Sequence, residues 1–246
     1  MDVFLFPEQI IVQLKMKFFL VAFFGAVLII PPKTDVKVAG EMKKIMRQAD
    51  FSAHIALDTL VNHPHIYGLG PAEGIKGEVL IIDSKPYWCK VNAEQPITVI
   101  TEKVKAAMLV YSQVPKWKTI RITDQIKDYT SLEKAVEKFA SQKGQALEEP
   151  FPFLIKGNIN IASWHVIDWK EGVAHTFDNH KQFAKYGSFS NESVVLLGFY
   201  SNKHHSIFTH HTTNMHIHVM DKKKTIVGHL ENFSAGTGTL TLSIPE

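Results

Sequence analysis

One stretch restricts the fold more than any other: Asn214-Met215-His216-Ile217-His218-Val219-Met220, then Asp221-Lys222-Lys223-Lys224, then Thr225-Ile226-Val227-Gly228-His229. Its β-branched, apolar alternation predicts the two strands of a hairpin. Side chains repeat every two residues along a strand, so His216 and His218 leave one face while Ile217 and Val219 leave the other. A two-residue loop centred on Lys222-Lys223 sets His229 opposite His216. One centred on Lys223-Lys224 sets it opposite His218, about 5 Å away in either case. Three imidazoles then converge on one spot. Three neutral nitrogens around a divalent cation, with positions left open for water or substrate, make a transition-metal site. A lone strand histidine is ordinarily just a polar residue on a solvated face. Three on one face without a metal would repel as cations or stand unpaired as neutral rings.

A chain of 246 residues, 45% of them apolar, can bury the core of one large or two small domains around such a hairpin. The net charge of +3 is mild, and no run of interleaved basic and aromatic residues tracks a phosphate backbone, so nucleic acid is excluded as the expected partner. Cys89 is the only cysteine, which rules out an intrachain disulfide and a cysteine-rich zinc module. It sits in a probable strand with no base beside it and is read as a small buried hydrophobe.

Residues 1 to 32 read as a signal peptide or N-terminal anchor: Lys15 and Lys17 precede an unbroken apolar run from Phe18 to Ile30, closed by Pro31-Pro32. Export, periplasmic or extracellular, is the expected outcome. Helical spacing of Met42, Ile45, Met46 and Ala49 predicts a helix over 41–49, and residues 55–60 suggest a second. His63-Pro64-His65 repeats the His-x-His spacing, but proline removes a ladder donor and argues for a loop. Glu78 opens the apolar run Val79-Leu80-Ile81-Ile82 directly after Gly77; a carboxylate there is either half buried, and then needs a cation, a metal or a proton, or exposed at a strand end. Asp83-Ser84-Lys85-Pro86 reads as the turn of a hairpin onto Tyr87-Trp88. Strands are predicted over 96–100, 107–111, 119–122, 153–157, 159–169, 194–200 and 239–244. A helix is predicted over 131–142, with Ser131 as N-cap and Lys143-Gly144 as stop. Val173 to Ser190 reads as a loop, as does the tract holding His204, His205, His210 and His211.

Several of these pieces resemble the acetolactate decarboxylase family. His216-x-His218, a polar turn and Gly228-His229 are similar to its metal motif, and Leu197-Gly198-Phe199 to the strand ahead of it. Tyr67-Gly68-Leu69-Gly70, Ile75-Lys76-Gly77-Glu78 and Asp83 resemble its N-terminal signature, and Gln95-Pro96-Ile97-Thr98-Val99 its Thr-Pro-Phe strand. The family's active-site arginine lies in an aromatic-Ala-Ile-Arg strand resembled by Phe153-Leu154-Ile155-Lys156, which puts Lys156 at the carboxylate clamp; lysine lacks the planar fork of arginine. Arg121 is a weaker substitute from another strand. The family's second glutamate comes from a C-terminal tail, whereas this sequence ends at Glu246.

The resemblance implies a zinc-dependent carboxy-lyase that converts 2-acetolactate to acetoin and carbon dioxide. His216, His218 and His229 would hold the metal, Glu78 would serve as ligand or proton relay, and Lys156 would meet the substrate carboxylate. It implies an α/β fold of β-rich mixed sheets, with a larger sheet and helices from residues 33–150 and a smaller, barrel-like sheet from 151–246 carrying the metal site, paired as a homodimer. Three rival readings stand beside it. One is an exported, non-catalytic metal-binding protein of the same fold. Another is a related lyase acting on a different 2-hydroxy-3-oxo acid. The third is a cupin-like barrel, disfavoured because Lys222 or Lys223 stands where a glutamate is expected.

Overall fold

The computed structural model describes Met1 and residues 35–246 except His175, with Phe177 defined in its backbone alone. The targeting segment expected over 1–32 lies, from residue 2 on, outside the described residues. No helix among the described residues is long and apolar enough to cross a membrane.

The chain runs through β1 (Val36–Ala39), α1 (Met42–Gln48), β2 (Ile55–Ala56), α2 (Asp58–Val61), β3 (Ile66–Pro71), β4 (Glu78–Ile82), β5 (Lys85–Asn92) and β6 (Gln95–Ile100). It continues with β7 (Lys105–Ala106), β8 (Leu109–Gln113), β9 (Trp117–Ile122), α3 (Tyr129–Gln142), β10 (Phe151–Asn158), β11 (Ile161–Ile167) and α4 (Phe177–Gln182). The last elements are β12 (Ala184–Ser190), β13 (Ser193–Tyr200), β14 (Met215–Asp221), β15 (Val227–Ser234) and β16 (Leu240–Pro245). β1, β8, β3, β4, β5 and β6 form a six-stranded sheet, in that order; β12, β11, β15, β14, β13, β10, β16 and β9 form an eight-stranded one; β2 and β7 make a small pair.

The protein is β-rich with few helices, as expected, but the detail differs in three respects. The histidine hairpin belongs to the eight-stranded sheet, which is the larger, and no pairing among the described residues joins β12 to β9 into a closed barrel. β9, from the first half of the sequence, pairs with β16 in the second sheet, so the sheet boundary does not fall at residue 150. The described residues from 35 onward belong to one compact unit, and a continuous apolar core takes side chains from both sheets.

Local chemistry explains most elements. The β4–β5 hairpin turns through Asp83 and Ser84, both at left-handed φ (49° and 62°), a pair of conformations whose twist matches the flanking strands. Leu80 joins the core between the sheets, while Val79 and Ile81 join a smaller cluster with Leu57 and Leu60 of the α2 region. β4 is therefore covered on both faces, which is why its sequence is a continuous apolar run rather than an alternation. The helix expected over 55–60 is instead the short strand β2 followed by α2. Helix α3 starts three residues earlier than expected: Asp128 is the N-cap and accepts from Ser131 N at 2.7 Å, and Ser131 Oγ accepts in return from Asp128 N at 3.0 Å. The stretch 173–190, expected as a loop, contains α4 and the edge strand β12.

Candidate metal centre

All seven residues of β14 are buried, so the histidines on one of its faces stand in the interior and not on a wet surface. The hairpin register pairs His218 with His229, Val219 with Gly228 and Met220 with Val227. Of the two loop registers open to the sequence, the structure takes the one centred on Lys223-Lys224. The cause is Asp221, a buried carboxylate whose Oδ1 accepts from Thr225 N and Ile226 N at 2.8 Å each, while Oδ2 accepts from Lys223 N and Thr225 Oγ1 at 3.0 Å.

His216, His218 and His229 present one ligand atom each, all within 4.8 Å of one another. One further contact fixes the atom for His218, and another brings His216 and His229 together. His218 Nδ1 lies 2.9 Å from the carbonyl oxygen of Val79 and must donate to it, which leaves Nε2 as a bare lone pair. That Nε2 is buried without a hydrogen-bond partner, the kind of orphaned acceptor that a cation satisfies. His216 Nε2 and His229 Nδ1 face each other at 3.2 Å. Burial holds all three rings neutral: His218 is lowered to about 3, and His216 and His229 fall well below the usual histidine value, with neighbouring histidines adding to the effect. Neutral, convergent nitrogens, with His218 Nε2 and His216 Nδ1 both buried without a hydrogen-bond partner, fit a borderline cation such as zinc.

Glu78 shares the face of Leu80, two residues along β4, and so points between the sheets. It is 3% exposed, its Oε2 lies 3.4 Å from His218 Nε2, and its Oε1 accepts from Ile167 N at 3.4 Å. Burial raises its pKa, opposed by the charge of His165 and by the Ile167 amide. Burial disfavours the charged form of both Glu78 and His218, so the contact is not an ion pair; it suits either a carboxyl proton or a shared cation. Gly77 places this strand end: at φ +104° its absent Cβ would fall 2.1 Å from the Cys89 carbonyl oxygen.

The other expected site residues lie elsewhere. Lys156 is exposed on β10, opposite Val195 of β13, which is in turn opposite Met220 of β14. It shares the sheet face of the histidines but stands two strands and one pleat repeat from His218, about 12 Å from backbone to backbone. Buried Leu197 and Met220 occupy the sheet between them. Arg121 is exposed on β9, at the far edge of the sheet. Glu246 follows β16 and bonds through its amide to the Lys116 carbonyl, beside that same edge. None of the three reaches the histidine cluster.

Two residues that the sequence did not single out do reach it. His165, on β11, is directly opposite His229, with ring centroids 4.9 Å apart, and it is 8% exposed. Its Nδ1 lies 2.6 Å from Glu231 Oε1. Glu231 follows His229 by two residues on β15 and is partly open to solvent, its carboxyl held below the usual range first by that hydrogen bond. Tyr186, exposed on β12, stands beside His165, and His210, also exposed, stands beside His229. The centre thus has a dry floor at Glu78 and His218 and a polar rim at Glu231, Tyr186 and His210.

Residues 39–245 match the alpha-acetolactate decarboxylase family. The chain belongs to that family. Among solved structures, alpha-acetolactate decarboxylase from Bacillus subtilis strain 168 is 12% identical with a TM-score of 0.69, covering 86% of each chain. The acetolactate decarboxylase of Bacillus subtilis subspecies spizizenii gives the same values. A Staphylococcus aureus protein of unknown function similar to the decarboxylase is 15% identical with a TM-score of 0.66, covering 85% of this chain and 84% of that one. At such identities the structures establish the fold. No curated protein sequence matches the chain.

Proposed function

We propose that this member of the alpha-acetolactate decarboxylase family is a zinc-dependent carboxy-lyase that converts 2-acetolactate to acetoin and carbon dioxide. The observation that carries this reading is the orphaned Nε2 of His218, set among three neutral imidazoles, two buried and one partly buried, beside a buried carboxyl. His216 Nε2, His218 Nε2 and His229 Nδ1 would hold the ion, which when bound supplies a Lewis acid for the hydroxyl and carbonyl oxygens of a 2-hydroxy-3-oxo acid.

Loss of carbon dioxide from a β-oxo acid leaves an enediolate, which needs a proton at carbon. Glu78, whose burial favours the protonated form, can hold that proton at Oε2, the oxygen nearest His218. The placement of Lys156 outside the cluster favours a second reading, in which another 2-hydroxy-3-oxo acid is the preferred substrate.

Purified chain, stripped with chelator and reloaded with zinc, is to be assayed for acetoin formation from 2-acetolactate and from a panel of related acids. Activity that appears on reloading and is lost in His218→Ala supports the proposal; product formation indifferent to chelator refutes it.

A further inference from the structure

Glu78 and the amide that orients it come from different sheets, β4 from the six-stranded one and β11 from the eight-stranded one. β11 pairs with β15 only as far as His165–His229. The Ile167 amide, two residues on, donates instead to Glu78 Oε1, at 3.4 Å. That bond leaves the other carboxyl oxygen, Oε2, facing His218 Nε2, also at 3.4 Å. The chain segments on either side of this contact are joined as well. Lys76 and Asp168 form an isolated antiparallel bridge, Trp169 N donates to the Ile75 carbonyl at 3.1 Å, and Trp88 Nε1 donates to the Lys76 carbonyl at 2.9 Å. Across the bridge Lys76 Nζ donates to Asp168 Oδ1 at 3.0 Å, and both side chains are partly open to solvent.

We propose that Lys76 and Asp168 are positioning residues, whose ion pair latches the two sheets together so that the Glu78 carboxyl stays in the histidine centre. This deepens the proposed function and rests on it. Lys76 stands two residues before Glu78 and Asp168 directly follows Ile167, so the pair acts on both partners of the 3.4 Å bond. A bridge of one residue pair is short, and opposite charges facing each other across it supply the restraint that a longer ladder would spread over several pairs. A solvent-accessible ion pair adds little to global stability, so the effect of breaking this one is local. The latch serves Glu78 equally as metal ligand or as proton relay, because either role requires Oε2 to stay on the side of His218.

The test follows the latch both without and with chemistry. Asp168→Asn and Lys76→Met each remove the ion pair, and the double exchange of Lys76→Asp with Asp168→Lys restores it with the charges reversed. Lys138→Met, which breaks a solvent-accessible pair with Asp124 of the same kind, is the control. In the metal-free full chain, amide hydrogen exchange is followed by NMR at Ile167 and, for comparison, along β13 and β14; Glu78→Ala calibrates the signal of a freed Ile167 amide. In the zinc-loaded chain, kcat and KM are measured for acetoin formation from 2-acetolactate.

The expected result is Ile167 exchange about tenfold faster or more in both single variants, approaching that of Glu78→Ala, with the β13 and β14 amides within about twofold of native and the thermal midpoint within about 2 °C. Under saturating zinc kcat falls roughly tenfold with KM within about twofold, since a displaced group costs turnover more than binding. The double exchange recovers both readouts and Lys138→Met changes neither. Ile167 exchange unchanged in the single variants or in Glu78→Ala, equal acceleration along β13 and β14, or a fall in kcat that the double exchange does not recover would each overturn the assignment. A native chain that shows the Ile167 pattern yet forms no acetoin keeps the latch and removes the decarboxylase reading. One that forms acetoin, with turnover and Ile167 exchange indifferent to the latch variants, does the reverse.

Discussion

The strongest constraint on the centre is the desolvation of three neutral imidazoles, two of them buried and His229 partly so, and it makes a quantitative demand on the metal-free protein. In the unfolded chain each ring takes up a proton as pH falls below about 6.5; in the folded chain none does, since His218 is lowered to about 3 and His216 and His229 lie well below the usual value. The folded state refuses protons that the unfolded state accepts. Stability is therefore complete above about pH 6.5 and declines as pH falls toward the folded values. Each fully differential site is worth about 1.4 kcal/mol per pH unit, so three contribute a loss of about 4 kcal/mol between pH 7.5 and 5.5. Glu78 acts in the opposite sense: its folded pKa is raised, so it favours folding at low pH and costs stability as pH rises above about 4.5. Glu78→Gln removes that opposition without changing the shape of the side chain. Urea denaturation of the chelator-treated Glu78→Gln protein is expected to show the full loss of about 4 kcal/mol, a midpoint lower by about 1.5–2 M, and the native chain a smaller one. Equal midpoints at pH 7.5 and 5.5 in the Glu78→Gln protein would mean that the rings are solvated, and the argument for a dry site would fail.

Three further outcomes follow from the packing. Asp221→Ala removes the acceptor of four hydrogen bonds inside the β14–β15 loop and is expected to cost about 3 kcal/mol or more, with zinc affinity falling because the His218–His229 register loosens; calorimetric zinc titration checks it. Gly77→Ala sets a methyl 2.1 Å from a backbone oxygen at a left-handed φ, so β4 must shift and carry Glu78 with it. The expected cost is about 2 kcal/mol or more, together with at least a tenfold fall in acetoin formation at saturating zinc. Gly198→Ala drives a methyl to 2.1 Å from the Phe153 ring beside β13, and is expected to lower the thermal midpoint by several degrees while leaving the three histidines in place, so that zinc titration of the variant is expected to match that of the parent chain.

What the sequence made legible was local, and what it hid was the order of strands. The alternation His216-Ile217-His218 and the Gly228-His229 return placed three rings on one face without any knowledge of the rest of the fold. It left the register open because the deciding group is the Asp221 carboxylate, whose four acceptor contacts exist only once the loop has closed. Glu78 was conspicuous as the one charge leading an apolar run, but its depth comes from the second sheet, since a strand does not reveal what covers its faces. The start of α3 misled because Asp128 and Ser131 are both capping residues, and they act together in a reciprocal box. β12 went unseen because an edge strand with Ala184 and Phe189 as its only buried residues carries almost no periodic signal.

The most consequential miss has the same origin. Lys156 was assigned by its place along a strand that resembles a family motif, whereas contact with the three clustered histidines depends on which strand lies beside β15. That neighbour is β11, and the residue it sets opposite His229 is His165. One signal was available in advance: Glu231 follows His229 at the two-residue spacing that keeps both on one face, so an acid was bound to stand beside the third ring and to need a donor of its own. A strand histidine in Trp164-His165-Val166 is unremarkable by itself; its meaning depends on that carboxylate. Pairing across strands, more than motif order along them, decides which side chains share the chemistry here.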